Sequence, residues 1–151
     1  MDHERISQIF FDETYEVPPH QTARSLFTRL PHGRPYAHTL IDCIASGYLV
    51  AVIESICIQQ MQLHIDQVDK VVVGRSIQME HRGPAPSGTT VRISGWTQQV
   101  GRRSATFCVR AYDERELICE AQVTLVAAER GALESKAASK HADARVGAGE
   151  D

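Results

Sequence analysis

The fold of this chain is decided by residues 46–61, which read SGYLVAVIESICIQQM. The segment is too long for an ordinary strand and is apolar on nearly every side, so it predicts a buried helix. One acid, Glu54, interrupts it, and the helical neighbours Val50, Cys57 and Ile58 are all apolar. Because burying an unpaired carboxylate is costly, we interpret Glu54 as a candidate functional residue. The alternative is a position at the helix surface or an ion pair with an arginine of a sheet.

Strands are predicted on both sides of this helix. Residues 9–17 are rich in aromatic and β-branched residues and end at Pro18-Pro19, which cannot donate to a ladder. Downstream, alternating apolar residues predict four strands, at residues 70–81, 89–98, 105–111 and 117–128. The last three are joined by short turns, which favours an antiparallel meander.

The order of these elements predicts the architecture. One strand, a flap over residues 20–43, the apolar helix and four strands together indicate an α+β domain, in which a curved antiparallel sheet wraps around one helix. One sheet of about five strands is too small to cover a helix that is apolar all round. We therefore expect a homodimer or a larger homo-oligomer.

His81 is the second candidate functional residue. It shares the parity of Val71, Val73, Ile77 and Met79, which predicts that its side chain faces the helix just before a turn. An imidazole opposite a carboxylate can activate a water or a hydroxyl for hydrolysis. A satisfied core histidine is the alternative.

Length and charge limit the possible classes of function. The 151 residues include 16 Lys+Arg and 19 Asp+Glu, with a net charge of −3, which fits one domain over residues 1–130 and disfavours binding to nucleic acid or to anionic membranes. Residues 131–151 are rich in Ala, Gly and charge and predict a disordered tail or a frayed helix. The sequence contains neither a signal-peptide pattern nor an apolar run of ~20 residues, so we expect a cytoplasmic protein.

No metal or other cofactor is expected. The four cysteines lack a Cys-x-x-Cys pair and are interpreted as core residues. The spacing of His20, His32, His38 and His64 does not match that of a zinc site.

Several short motifs, in order and with matched spacing, resemble the hotdog-fold acyl-CoA thioesterases, and fluoroacetyl-CoA thioesterase most of all. The resemblance covers about residues 11–128. It rests on the following motifs: Val17-Pro18-Pro19-His20, Ala45-Ser46-Gly47 with Glu54, Gly74 with His81, the turn that ends at Gly88, and Gly101-Arg102-Arg103.

The resemblance implies thioester hydrolysis by a hydroxyl, a carboxylate and an imidazole, with coenzyme A as part of the substrate. The threonine of the family falls on Ser46, its glutamate on Glu54 and its histidine on His81, while a glycine that offers its backbone amide falls on Gly74. Glu54 would be base or nucleophile and His81 its partner in proton transfer, although these two roles are interchangeable. Ser46 also suits a helix N-cap, and both roles are compatible.

Two departures from the family concern the acyl group. Leu40 lies nearest to the position of an aromatic gate, and Leu125 lies near the position of an arginine, so the resemblance does not extend to fluoroacetyl-CoA as the substrate. Arg102 and Arg103 are candidate contacts for the phosphates of coenzyme A, or else a solvated turn. We expect a thioesterase for a small or medium acyl-CoA. A hotdog hydratase or dehydratase and a non-catalytic acyl-CoA binding module are the alternatives.

Overall fold

The structure is a computed structural model that describes residues 1–65 and 68–146. Two short 3-10 helices, Pro19–Gln21 and Arg34–Thr39, lie in the flap. The other elements, in chain order, are α1 (His3–Ser7), β1 (Phe10–Glu16), α2 (Ala23–Arg29), α3 (Ser46–Gln62), β2 (Lys70–His81), β3 (Thr90–Val100), β4 (Ser104–Tyr112), β5 (Leu117–Glu129) and α4 (Arg130–Val146).

The five strands form one antiparallel sheet in the order β1-β3-β4-β5-β2. The short turns after β3 and β4 make β3, β4 and β5 consecutive neighbours, so the predicted meander is confirmed. β2 follows the helix and adds to the sheet beside β5. It is therefore one of the two edge strands, and β1 is the other.

Helix α3 packs on the inner face of the sheet along one stripe. Leu49, Ile53, Cys57 and Met61 recur every four residues and are fully buried. The opposite side of the helix, which includes Ala51 and Ser55, is exposed. The sequence predicts burial on all sides, but within one chain a single sheet covers only one side of a helix.

Strand β2 corrects the predicted alternation. Val72, only 3% exposed, pairs with the buried Ala127, so Val71 and Val73 lie on the outer face. The register shifts between Gly74 and Ser76, where Arg75 forms a β-bulge. After the bulge, Ile77, Met79 and His81 pair with the inward-facing Val123, Ala121 and Cys119. The inward direction of His81 is thus confirmed, whereas that of Val71 and Val73 is wrong because a bulge exchanges the two faces.

The flap contains more helix than the sequence predicts, and the C-terminal segment is helical. Thr22 caps α2 by accepting a hydrogen bond from the Ser25 amide (3.3 Å), a local signal typical of a helix start. Residues 130–146 form α4, the helical one of the two predicted states of this segment, since Ala, Glu, Lys and Arg favour a helix. Residues 147–151 lie outside the described residues, and the boundary at residue 130 stays a prediction.

Within the part of the chain that the structure describes, no helix is both long enough and apolar enough to cross a membrane.

Candidate active site

The hydroxyl of Ser46 and the imidazole of His81 form a hydrogen-bonded pair. Ser46 is the first residue of α3 and His81 the last of β2, and Ser46 Oγ lies 2.8 Å from His81 Nδ1. The N-cap of α3 is Ala45, which has no side-chain hydrogen bond, so the N-cap interpretation of Ser46 is wrong. Tertiary packing, rather than the helix end, determines the partner of this hydroxyl.

The segment that leads into Ser46 is held from both sides. On the flap side, the Ala23 amide donates to the Cys43 carbonyl (2.8 Å) and the Ala45 amide to the Gln21 carbonyl (3.0 Å). On the other side, the Ile44 amide donates to the carbonyl of Ala85 in the turn after β2 (2.8 Å). These backbone bonds fix Ser46 before any substrate arrives, which is the preorganisation that catalysis requires.

A cavity of about 590 Å³ opens onto this pair, and its walls combine one polar corner with an apolar flap. Ser46 is exposed and His81 half-buried, so a substrate can reach both. Besides the pair, the residues that line the cavity include Ala23, Leu26, Phe27, Ile41, Cys43 and Arg82.

Cys43 is the only thiol among the residues that line this described cavity. Burial raises the pKa of that thiol, and the nearby charge of Asp42 raises it further. The thiol is therefore protonated at neutral pH and a poor nucleophile. Among the side chains that line the cavity, the hydroxyl–imidazole pair of Ser46 and His81 is the candidate reactive feature.

Glu54 lies against Gly74 on β2. It is half-buried, and a Cβ atom placed on Gly74 would overlap Glu54 Oε1 and lie 3.0 Å from Cδ, so only glycine admits the carboxylate here. Among the described residues, the Glu54 carboxylate has neither an ion pair nor a hydrogen bond. Burial raises the pKa of the neighbouring Cys57 thiol to about 12, and the charge of Glu54 contributes to that shift.

The two contacts are separate within one chain. Glu54 lies eight residues after Ser46 on a regular helix, about 12 Å at 1.5 Å per residue. Gly74 and His81 lie toward opposite ends of β2. The structure thus brings Ser46 to His81 and Glu54 to Gly74, but it does not bring the two pairs together.

The remaining predicted contacts lie elsewhere. Leu40 lines a second cavity of about 340 Å³ within the flap. Arg102 and Arg103 are exposed in the turn between β3 and β4, where the Arg103 carbonyl accepts from the Ala127 amide (2.8 Å). Ala127 is eight residues from Cys119, the partner of His81, or about 26 Å along β5. Within one chain these two arginines lie far from the Ser46 cavity.

Arg82 is a cation at the Ser46 cavity that the sequence analysis did not single out. It lines the Ser46 cavity and forms ion pairs with Glu80 (2.7 Å) and Glu120 (2.9 Å). Its position directly after His81 was the available signal. No three His, Cys, Asp or Glu side chains cluster as metal ligands anywhere in the described residues.

Comparisons with known proteins agree on one family. The family model described as fluoroacetyl-CoA-specific thioesterase matches residues 34–131. Fluoroacetyl-CoA thioesterase of Streptantibioticus cattleyicolor is 26% identical over 103 residues, which cover 68% of this chain and 70% of that protein.

Solved structures show the same fold. The fluoroacetyl-CoA thioesterase FlK superposes with a TM-score of 0.79 at 22% identity, covering 88% of this chain and 95% of that one. A threonine-to-serine variant of FlK, solved in complex with acetyl-CoA, gives 0.78 at 23% identity, covering 89% and 97%. A hot-dog-like protein from Thermanaerovibrio acidaminovorans gives 0.75 at 13% identity, covering 93% and 97%. The predicted hotdog fold is confirmed.

Proposed function

The chain belongs to the fluoroacetyl-CoA-specific thioesterase family and is an acyl-CoA thioesterase, and we propose that its chemistry runs through Ser46, His81 and Glu54. The observation that carries this proposal is the 2.8 Å hydrogen bond between Ser46 Oγ and His81 Nδ1 at the wall of a cavity. A hydroxyl and an imidazole at this distance are the groups that general-base hydrolysis of an acyl compound requires.

In the proposed reaction, His81 takes a proton from the attacking oxygen, which is that of a water held by Ser46. The oxygen bonds to the thioester carbon, and the carbonyl oxygen becomes an oxyanion that backbone amides can stabilise. Collapse of this intermediate breaks the carbon–sulfur bond, and the thiolate of coenzyme A takes the proton from His81. The net reaction consumes one water and yields the free acid and the thiol.

In this proposal, Glu54 of one copy of the chain serves the Ser46–His81 pair of a second copy. The backbone of Glu54 lies about 12 Å along the helix from that of Ser46, a separation that the two side chains do not span within one protomer. In a homodimer that covers the exposed side of α3, Glu54 of one copy would approach the Ser46–His81 pair of the other. The unpaired edge of β2 and the exposed Ala51 support such a dimer.

Hydrolysis is favoured over the alternatives by the family and by the cavity. A hydratase would use the same acid and imidazole on a double bond, but the matching family model and relative are both thioesterases. A binding module would have no use for a hydroxyl held against an imidazole. We further propose that no resident metal or cofactor takes part. The four free thiols support a location in the cytoplasm.

The test is release of free coenzyme A from acyl-CoA by the wild type and by Ser46→Ala. We expect the substitution to lower kcat/KM by about 100-fold or more. Ser7→Ala is a matched control, because Ser7 is an exposed serine of α1 that does not line the Ser46 cavity and whose hydroxyl donates to the Glu4 carbonyl (2.6 Å). Equal turnover by the two variants would remove Ser46 from the mechanism.

A further inference from the structure

The flap contains two adjoining apolar cavities that share one side chain. Phe27 lines the Ser46 cavity of about 590 Å³ and also the flap cavity of about 340 Å³. Beyond Phe27, the flap cavity is lined by Leu30, Pro31, His32, Gly33, Tyr36 and Leu40. The side chain of Phe27 is therefore a wall that the two cavities have in common, and it is called the partition below.

Two local contacts hold this partition and the wall behind it. A Cβ atom placed on the buried Gly33 would overlap the Phe27 ring, so glycine at this position lets the ring lie against the backbone. The guanidinium of Arg24 donates two hydrogen bonds to the Leu40 carbonyl (3.1 and 2.9 Å), which fixes Leu40 at the wall of the flap cavity. Both cavities thus have defined walls within one chain.

The flap leaves large apolar side chains in contact with water around these cavities. Phe27 is 36% exposed, Leu30 44%, Tyr36 67% and Ile41 62%. A cluster of this kind next to a reactive pair is typical of a ligand-binding surface. Its ligand must be apolar, because the walls offer few polar partners.

The reacting carbonyl carbon determines which part of the ligand reaches these walls. In the proposed reaction it lies at Ser46 and His81, and an acyl group that follows the apolar wall of the cavity runs along Leu26 and Ile41 toward Phe27. An acetyl or fluoroacetyl group has a single carbon beyond the carbonyl and leaves most of this apolar wall in water. A longer chain covers the wall and gains the free energy of burying each methylene.

We propose that the preferred substrate carries an unbranched apolar acyl group of medium length, whose end passes Phe27 and enters the flap cavity. This inference rests on the proposed thioesterase function and deepens it by naming the class of acyl group. The geometry places the recognition of chain length in the flap, with Phe27 and Leu40 as the residues that determine specificity.

The experiment measures kcat/KM for acetyl-, fluoroacetyl-, butyryl-, hexanoyl-, octanoyl- and decanoyl-CoA. We expect a rise of about threefold for each methylene added to acetyl, up to hexanoyl or octanoyl, followed by a plateau or fall. A profile that is greatest with acetyl- or fluoroacetyl-CoA would overturn the inference but leave the thioesterase function intact. Absence of coenzyme A release from every substrate would overturn both.

Two variants test the location. Leu40→Trp fills the flap cavity and should lower the ratio of octanoyl to acetyl kcat/KM by about 10-fold, which corresponds to two lost methylenes. Arg29→Trp is the matched control, since Arg29 is exposed on the same flap and lines neither cavity, and it should leave this ratio within about twofold.

Phe27→Ala removes the partition and should shift the optimum toward decanoyl-CoA, which keeps the inference testable if Leu40→Trp folds poorly. Light scattering on both variants tests whether a second copy of the chain, rather than an acyl group, fills the flap cavity. A changed oligomeric mass with an unchanged chain-length profile would show that a second copy fills the flap cavity, and would overturn the inference.

Discussion

Helix α3 makes two contacts with β2, and they differ in whether the polar group of the helix has a hydrogen-bond partner there. At its first residue, Ser46 forms a hydrogen bond with His81, and backbone bonds on both sides hold it beside an open cavity. Two turns further on, Glu54 touches Gly74, which contributes no side chain, and no cation or donor reaches its carboxylate within the described residues. One contact is assembled within a single chain, whereas the other presents a carboxylate without a partner.

The largest effect on activity is expected at the contact between Ser46 and His81. His81→Ala should lower kcat/KM by about 1000-fold while acyl-CoA binding stays within about 10-fold, because the imidazole acts in proton transfer more than in ground-state affinity. Turnover assays and calorimetry with a non-hydrolysable acyl-CoA analogue measure the two quantities. A parallel fall in both, together with a lower Tm, would indicate a structural histidine.

The second contact should show a somewhat smaller effect. Glu54→Ala should lower kcat/KM by about 100-fold and leave the protein folded, since removing an unpaired carboxylate relieves its desolvation cost. Gly74→Ala should also lower turnover, because the added Cβ displaces Glu54 Oε1. Near wild-type turnover by Glu54→Ala would reduce this contact to a packing feature.

Mixing two inactive variants tests whether the two contacts meet across a dimer. If Glu54 serves the Ser46–His81 pair of the other copy, each Ser46→Ala/Glu54→Ala heterodimer contains one intact site. An equimolar exchanged mixture should then recover about a quarter of wild-type activity. No recovery from heterodimers confirmed by mass would place both groups in one chain, and light scattering near 16.8 kDa would exclude the dimer itself.

The smallest effect concerns the access of a reagent to the cavity beside Ser46 and His81. Cys43 lines the Ser46 cavity, whereas Cys108 lies on the outer face of the sheet, beside Trp96. A bound acyl-CoA analogue should slow alkylation of Cys43 about 10-fold or more and leave Cys108 unchanged. Because burial raises the pKa of the Cys43 thiol above its ordinary value of 9.0, its alkylation without ligand should keep accelerating as the pH rises past 9. Equal protection of the two thiols would contradict the assignment of the cavity.

Local pattern was sufficient for α3, for the strands and for the candidate reactive side chains, but not for the short helices at the N-terminus and in the flap. A sixteen-residue apolar segment has no other compact solution than a packed helix, so α3 was predicted to within one residue. Composition located the first strand and alternation the other four, each to within two residues at either end. Ser46, Glu54 and His81 stood out because a hydroxyl, an acid and an imidazole interrupted apolar surroundings or matched a family motif.

What the tertiary structure alone decided is which groups meet. A bulge at Arg75 exchanged the two faces of β2, and nothing in an alternating sequence marks a bulge. The pairing of Ser46 with His81, the flap cavity behind Leu40 and the distance of Arg102 from the site all depend on strand order and chain crossings. The physical reason is range: periodicity reports the environment of each residue along its own element, whereas contacts between residues far apart in the chain depend on how the elements pack.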